Sequence, residues 1–486
     1  MNKPMHKPTP LRALWCAAAL SVAVAAPVHA QIDRSAPPTL GAPPALKLPP
    51  VTVRQLSNGL KLMIVERHQL PMADFVLVIP AGAALNPPTK AGLADLASEM
   101  LTEGTASRTS LQIDDQQAFL GVELQASSGW DATSVSLTTP TAQLDSALAL
   151  MSDVVLHSTF PADEFDRRKQ ERLTDLIQLK DRGPAIADRA YIATVFGREH
   201  PYGRPALGTE ASVGNITVND VKAFYAAHVI PAGATMIIVG DVNPDQIEKK
   251  VATLFGDWHG DTTTATTAAE PPRTTAPTTI YLIDKPGAAQ SSFRIGSVGV
   301  ARSTPDYFPL EVVNTALGGS FTSRLNQNLR ETRGYTYGAG SRFDMRKTAG
   351  PFTARAEIVA AKTDSALIEF MKELRAIRDT IPMGELSKTK NYIQLQLPGE
   401  FESNSDIAQK LTSVALYGLP LDYYNGYVAH VSAVTQSDAQ RIAQQYIDPA
   451  HLVIVIVGDR KTIEPGLRAL NIARIVIRDL EGNAIQ

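Results

Sequence analysis

The sequence predicts an α+β protein made of two homologous halves, each with antiparallel sheets packed by helices. Three observations lead there. The first is an internal repeat. Residues 217–241 read TVNDVKAFYAAHVIPAGATMIIVGD and residues 435–459 read TQSDAQRIAQQYIDPAHLVIVIVGD. One constant offset of 218 residues matches Thr217 with Thr435, Asp220 with Asp438, Pro231 with Pro449, and Gly240-Asp241 with Gly458-Asp459. A gap-free match of this kind signals duplication of one substructure. Each copy reads as a capped helix with an acid three residues after its threonine, a proline stop, and an apolar strand ended by Gly-Asp. The second observation is a break at residues 260–278, rich in Thr, Ala and Pro and without periodicity, which reads as a linker. It separates an N-terminal half, 51–259, from a C-terminal half, 279–486. The third is the mixture of periods. Residues 61–66 and 75–81 read as strands, 93–101 read as a helix, and 122–127 with 133–138 read as a hairpin. Leu144, Leu148, Met151 and Val155 recur at helical spacing, and Pro161 opens a further helix through about Lys180. Strand pairs with helices between them give α+β layers.

Composition excludes several classes. The 486 residues are 44% hydrophobic and 20% charged, with a formal net charge of -3 from 46 basic and 49 acidic side chains. That is globular composition with apolar mass for more than one core. No basic excess or like-charge run points to nucleic acid or to a membrane surface. At the N-terminus Lys3, Lys7 and Arg12 precede an apolar run over 13–26 and a small-x-small site at Val28-His29-Ala30. This reads as a secretory signal peptide cleaved after Ala30, its apolar run being too short to span a bilayer, and it implies a periplasmic location. The single cysteine, Cys16, lies inside that segment, and Trp15 before it is a poor fit to a lipoprotein site. The mature chain therefore has neither a disulfide nor a thiol nucleophile. Residues 31–50 form a proline-rich leader.

Longer blocks carry a resemblance. The N-terminal half has SNGLKLMIVE (57–66), KAGLADLASEMLTEGT (90–105) and HPYGRPALGTEASVGNIT (200–217). The C-terminal half has GGSFTSRLNQNLRETRGYTYGAGS (318–341), FESNSDIAQKL (401–411) and YGLPLDYYNGY (417–427). In order, spacing and duplication the chain resembles the pitrilysin/insulinase zinc metallopeptidases over nearly its whole mature length. That family's chemistry uses a His-x-x-Glu-His helix, whose two histidines bind zinc while the glutamate activates the metal-bound water. The frame around the motif is present here as Gly92-Leu93-Ala94 and Met100 to Gly104-Thr105. The motif positions fall on Asp95, Ser98 and Glu99, so both histidines and the general base are absent. The third ligand of the family, a glutamate further along, falls near Asp175 in RLTDLIQLK. Asp95, Glu99 and Asp175 read either as a solvated acidic face or as a carboxylate set for a hard cation. Ser98 cannot serve as the general base.

A second constellation of the family is retained. Arg330 and Tyr337 stand seven residues apart in LRETRGYTY. The resemblance implies that this pair holds substrate backbone and stabilises the oxyanion opposite the zinc, both side chains being hydrogen-bond donors. Arg333 and Tyr335 depart from the family spacing. Gly318-Gly319 reads as a close backbone approach, not a phosphate loop, and His200-Pro201-Tyr202-Gly203 as a structural turn. In this family a chain with the zinc motif often pairs with a chain without it. The resemblance thus implies the non-zinc subunit of a heteromeric peptidase, with no cofactor on this chain, zinc on a homologous partner and a peptide as substrate. The alternatives are a non-enzymatic peptide-binding or scaffold protein of the same fold, and a hydrolase with an acid-ligated metal.

Overall fold

The computed structural model describes residues 48–260, 268–273 and 275–485. The predicted signal peptide with its cleavage site, most of the proline-rich leader and residues 261–267 and 274 of the predicted linker lie outside the described residues. Twelve strands form two sheets. The first contains β1 (Val51–Gln55), β2 (Lys61–Glu66), β3 (Met72–Ile79), β4 (Glu123–Ser128), β5 (Thr133–Pro140) and β6 (Thr235–Gly240), in the order β1-β2-β6-β3-β5-β4. The second contains β7 (Thr279–Asp284), β8 (Gln290–Val298), β9 (Thr336–Phe343), β10 (Pro351–Val359), β11 (Val453–Gly458) and β12 (Arg474–Arg478), in the order β12-β7-β11-β8-β10-β9. Strands two to six of the first sheet and one to five of the second share one topology.

Six helices position the sites discussed below: α1 (Leu93–Glu99), α2 (Ala162–Leu179), α3 (Gly183–Phe196), α4 (Val218–His228), α5 (Asn404–Tyr417) and α6 (Gln436–Tyr446). The sequence repeat is a structural repeat. The Thr217 hydroxyl accepts the Asp220 N–H at 3.3 Å and the Asp220 carboxylate accepts the Thr217 N–H at 2.8 Å, closing a capping box on α4. Thr435 and Asp438 close the same box on α6 at 3.1 and 3.0 Å. These boxes satisfy orphan donors of the first helical turn. The strands that follow, β6 and β11, are buried at every residue.

Each sheet is mixed and not purely antiparallel. β6 runs parallel to β2 and antiparallel to β3, and β11 does the same with β7 and β8. The reason is chain length: β6 and β11 return after a long helical excursion, which allows a parallel neighbour that a hairpin cannot make. The edge strands break the symmetry, because β1 joins β2 antiparallel while β12 joins β7 parallel.

The halves are joined by exchanged helices. Along β2, Leu62 and Ile64 face the core under the N-terminal half's own helices. Met63 and Val65 face the other way, into one core with Ile407, Ala408, Leu411 and Val414 of α5. Reciprocally, α3 lays Ile186, Ala187, Ala190 and Tyr191 on Ile283, Val453, Val455 and Val457 of the second sheet. Each sheet is thus covered on one face by its own half and on the other by a helix of the other half. The seating of α3 is close. The Tyr191 hydroxyl donates to the Phe352 carbonyl, and a Cβ at Gly296 would come within 1.9 Å of that carbonyl and 2.4 Å of the hydroxyl. Arg294 of β8, almost fully buried, meets Asp188 of α3 at 2.5 Å and Glu357 of β10 at 3.0 Å. No helix of the described residues is long and apolar enough to cross a membrane.

Leu411→Ala removes apolar volume from the core shared by the two halves. The expected loss is about 2–4 kcal/mol, read as a lower urea midpoint. Far- and near-ultraviolet circular dichroism are expected to report one shared transition; two separated transitions would contradict the interlocked arrangement.

Candidate functional site

The motif positions lie on α1, which starts at Gly92 with φ +99°, where a Cβ would sit 2.9 Å from the Leu207 carbonyl. Only glycine tolerates both conditions. Asp95 and Glu99, one turn apart, point at α2, while Ser98 is buried and donates its hydroxyl to the Asp95 carbonyl at 2.7 Å. The group that meets the two carboxylates is Arg172, only 7% exposed. Its Nη2 donates to Glu99 Oε1 at 2.7 Å and lies 2.5 Å from Asp95 Oδ2, the latter as an ion pair out of line for a hydrogen bond. One turn further on, buried Glu103 accepts from Arg167 Nη2 at 2.5 Å and from Arg168 Nε at 2.6 Å. Three carboxylates at 95, 99 and 103 therefore face three arginines at 172, 168 and 167, and this ladder joins α1 to α2. Burial pushes the Glu99 carboxyl above its ordinary range, Arg172 opposes that shift, and Asp95 adds to it.

Asp175 does not join this cluster. It is exposed on α2, and the side chain that enters is Arg172. The buried face of α2 explains the correction: Phe165, Arg172 and Leu176 lie seven and four residues apart on one stripe, and Asp175 falls to its flank. The residues at the motif positions do not fit a metal. A guanidinium stands at contact distance from both carboxylates, the third carboxylate is in solvent, and no imidazole is present. The same geometry removes the reading of an acid-ligated cation, because Arg172 stands against both acids with a positive charge that cannot be titrated away. Among the described residues no group of three or more His, Cys, Asp or Glu is arranged to hold a metal ion.

Arg330 and Tyr337 are brought together elsewhere. Both line an open cavity of about 610 Å³ on the second sheet, with Phe321, Asn326, Arg355 and Glu357. None of residues 95, 98, 99 or 172 lines it. The Arg330 guanidinium stacks 4.6 Å from the Phe321 ring centre, and its Nε lies 3.4 Å from Glu331. Tyr337, second residue of edge strand β9, is 90% exposed. Asn326 fixes the local geometry by donating to the Phe321 carbonyl at 2.7 Å and accepting the Ala339 N–H at 3.2 Å. The Phe321 loop and β9 are thereby held as one wall. Gly318 presses against β9, where a Cβ would stand 2.2 Å from the Ser341 nitrogen. With Gly319 it closes a wide helical turn over Thr315–Gly319. Arg333 is tied to Glu369 at 2.6 Å, Tyr335 is half-buried, and neither lines the cavity. His200 accepts the Tyr202 N–H at 3.1 Å, and buried Tyr202 donates to Asp131 at 2.6 Å, so that turn is structural.

Sequence reasoning missed Arg172, Arg168 and Arg167, and on the cavity side Phe321, Arg355 and Glu357. The arginines carried a legible signal: the helical stripe through Phe165 and Leu176 includes Arg172. The cavity residues carried none, because three strands and a loop assemble them.

Comparison with known proteins gives two family matches in tandem. The model described as Insulinase (Peptidase family M16) covers residues 62–210, and that described as Peptidase M16 inactive domain covers residues 215–393. An uncharacterized zinc protease of Mycobacterium leprae is 25% identical over 427 residues, which is 85% of this chain and 94% of that protein. Among solved structures, a peptidase M16 inactive domain from Pseudomonas fluorescens aligns with a TM-score of 0.79 at 27% identity, covering 84% of this chain and 98% of its own. A protease from Helicobacter pylori shares the fold with the same TM-score of 0.79 at 21% identity, over 85% of this chain and 100% of its own.

Arg172→Ala leaves Asp95 and Glu99 facing each other without a cation. The expected destabilisation is about 2–3 kcal/mol, measured by urea unfolding at neutral pH. A change within experimental error would show that the ladder does not hold α1 to α2.

Proposed function

The chain belongs to the insulinase family of peptidases, family M16, and we propose that it is the non-zinc subunit of a periplasmic heteromeric peptidase. The observation that carries this reading is a division within one chain. The metal-motif positions are closed by Arg172, while Arg330 and Tyr337 line an open cavity. The zinc and its chemistry then belong to a homologous partner subunit.

This chain contributes binding and charge stabilisation. The guanidinium of Arg330 and the hydroxyl of Tyr337 each offer a hydrogen-bond donor, suited to a peptide carbonyl whose oxygen gains negative charge. Phe321 supports the guanidinium from below and limits its orientations. A phenol as exposed as that of Tyr337 suits a group covered only when substrate and a second chain close over it. The substrate class is an extended peptide. The leader at residues 1–30 supports export to the periplasm. A peptide-holding protein without turnover is the rival reading, and the same cavity serves it.

The mature chain mixed with a zinc-motif homologue is expected to cleave an unstructured fluorogenic peptide, with neither chain active alone. Arg330→Ala is expected to lower kcat/KM by roughly 10²–10³-fold, with co-elution of the two chains unchanged in gel filtration. Undiminished cleavage by that variant would remove the role given to Arg330. Peptide binding without cleavage in every mixture would favour the rival.

A further inference from the structure

A second cavity, of about 310 Å³, lies against the C-terminal part of α3, away from the Arg330 wall. Three guanidiniums line it, from Arg189, Arg198 and Arg204. Among the described residues none of the three has a carboxylate within ion-pair distance. Arg198 donates to the Glu481 carbonyl at 2.5 Å. Arg204 donates only to the carbonyls of Asn86 and Glu199, at 3.2 and 3.4 Å, and its buried Nε has no acceptor. Arg189 is half-buried and makes no hydrogen bond. Of the nearby acids, Glu481 and Glu210 both pair with Lys180, at 3.2 and 2.7 Å, and Glu199, which also lines the cavity, is exposed and lies beyond ion-pair distance of the three guanidiniums. Burial lowers the basicity of Arg189 and Arg204, with nearby carboxylates offsetting it only in part.

The fully buried arginines of this chain have their own partners: Arg346 meets Asp344 at 2.6 Å, and Arg302 donates to the Tyr423 hydroxyl at 2.9 Å and lies over the Tyr307 ring. Arg172 and Arg294 each meet two carboxylates. Withdrawing a cation from water without a counter-charge is unfavourable, and an unmet guanidinium fork matches a carboxylate or phosphate in bidentate geometry. The volume lies at the lower end of small-molecule sites. Pro88, Ala91, Ala193 and Pro205 supply apolar wall for the body of a ligand. We propose that this pocket binds a small polyanion, a phosphate ester or a polycarboxylate, with Arg189 as its principal contact. Its walls come from α3, the turn at 201–205 and the C-terminal segment at Glu481, so an occupant ties that segment to the N-terminal half. The site is separate from the peptide reading of the Arg330 cavity and stands without it.

The test is isothermal titration of the mature chain with pyrophosphate and with citrate in low-salt, phosphate-free buffer, alongside thermal melts. Saturable binding of either probe, with a raised Tm, is expected, and the probe that binds identifies the source. Arg189→Met is expected to weaken binding at least tenfold while leaving the anion-free Tm equal or higher, because it removes an unpaired charge. Arg189→Lys, which keeps the charge and loses the fork, is expected to fall between the two. Absence of saturable binding for both probes would overturn the proposal. So would wild-type affinity in Arg189→Met, or an anion-free Tm several degrees lower in that variant, which would reveal a structural partner for Arg189.

Discussion

The architecture depends on one constraint: strands buried on both faces require a cover on both faces. β6 and β11 are buried at every residue, so neither half is complete with its own helices alone. The exchange of α3 and α5 meets that requirement. Two further placements follow from it. α3 carries Asp188 to Arg294 and forms one wall of the Arg330 cavity, and the same helix carries Arg189 into the second cavity. Residues from opposite halves share these sites because the chain must share its helices.

Within this scaffold the positions that align with the family's zinc motif carry a closed cluster of ion pairs. Two acids one helical turn apart on α1 need a cation, since like charges at that spacing repel. A metal could supply it, and so can a guanidinium projected from the facing helix. Arg172 does so from a position that is nearly solvent-free, and Arg167 with Arg168 repeat the arrangement at Glu103. The result is a fixed cation in place of an exchangeable one. On the function proposed above, the chemical work falls on other groups, and Arg330 with Tyr337 are those that line the open cavity.

Much of the fold was legible because it was repeated. The Thr-x-x-Asp caps, the proline stops and the Gly-Asp strand ends at one offset located α4, α6, β6 and β11 before any coordinates. The pairing of β6 with β2 was not legible, because a strand's period says which faces it buries and nothing of its neighbour's direction. At the motif, the loss of both histidines was plain in the sequence, and Asp95, Ser98 and Glu99 fell on α1 as the frame required. The replacement of Asp175 by Arg172 was missed because counting residues from the motif ignores which stripe of α2 is buried. The cavity around Arg330 was legible only in its two named residues. Phe321 and Glu357 reach it through β-sheet register and a loop, which no local pattern encodes.

The central claim is that this chain is closed to metal by its own arginine. It is tested most directly by the zinc content of the purified mature chain after equilibrium dialysis against zinc. Trace zinc, far below one per chain, is the expected result. One tightly held zinc per chain that is lost on Asp95→Ala substitution would contradict it.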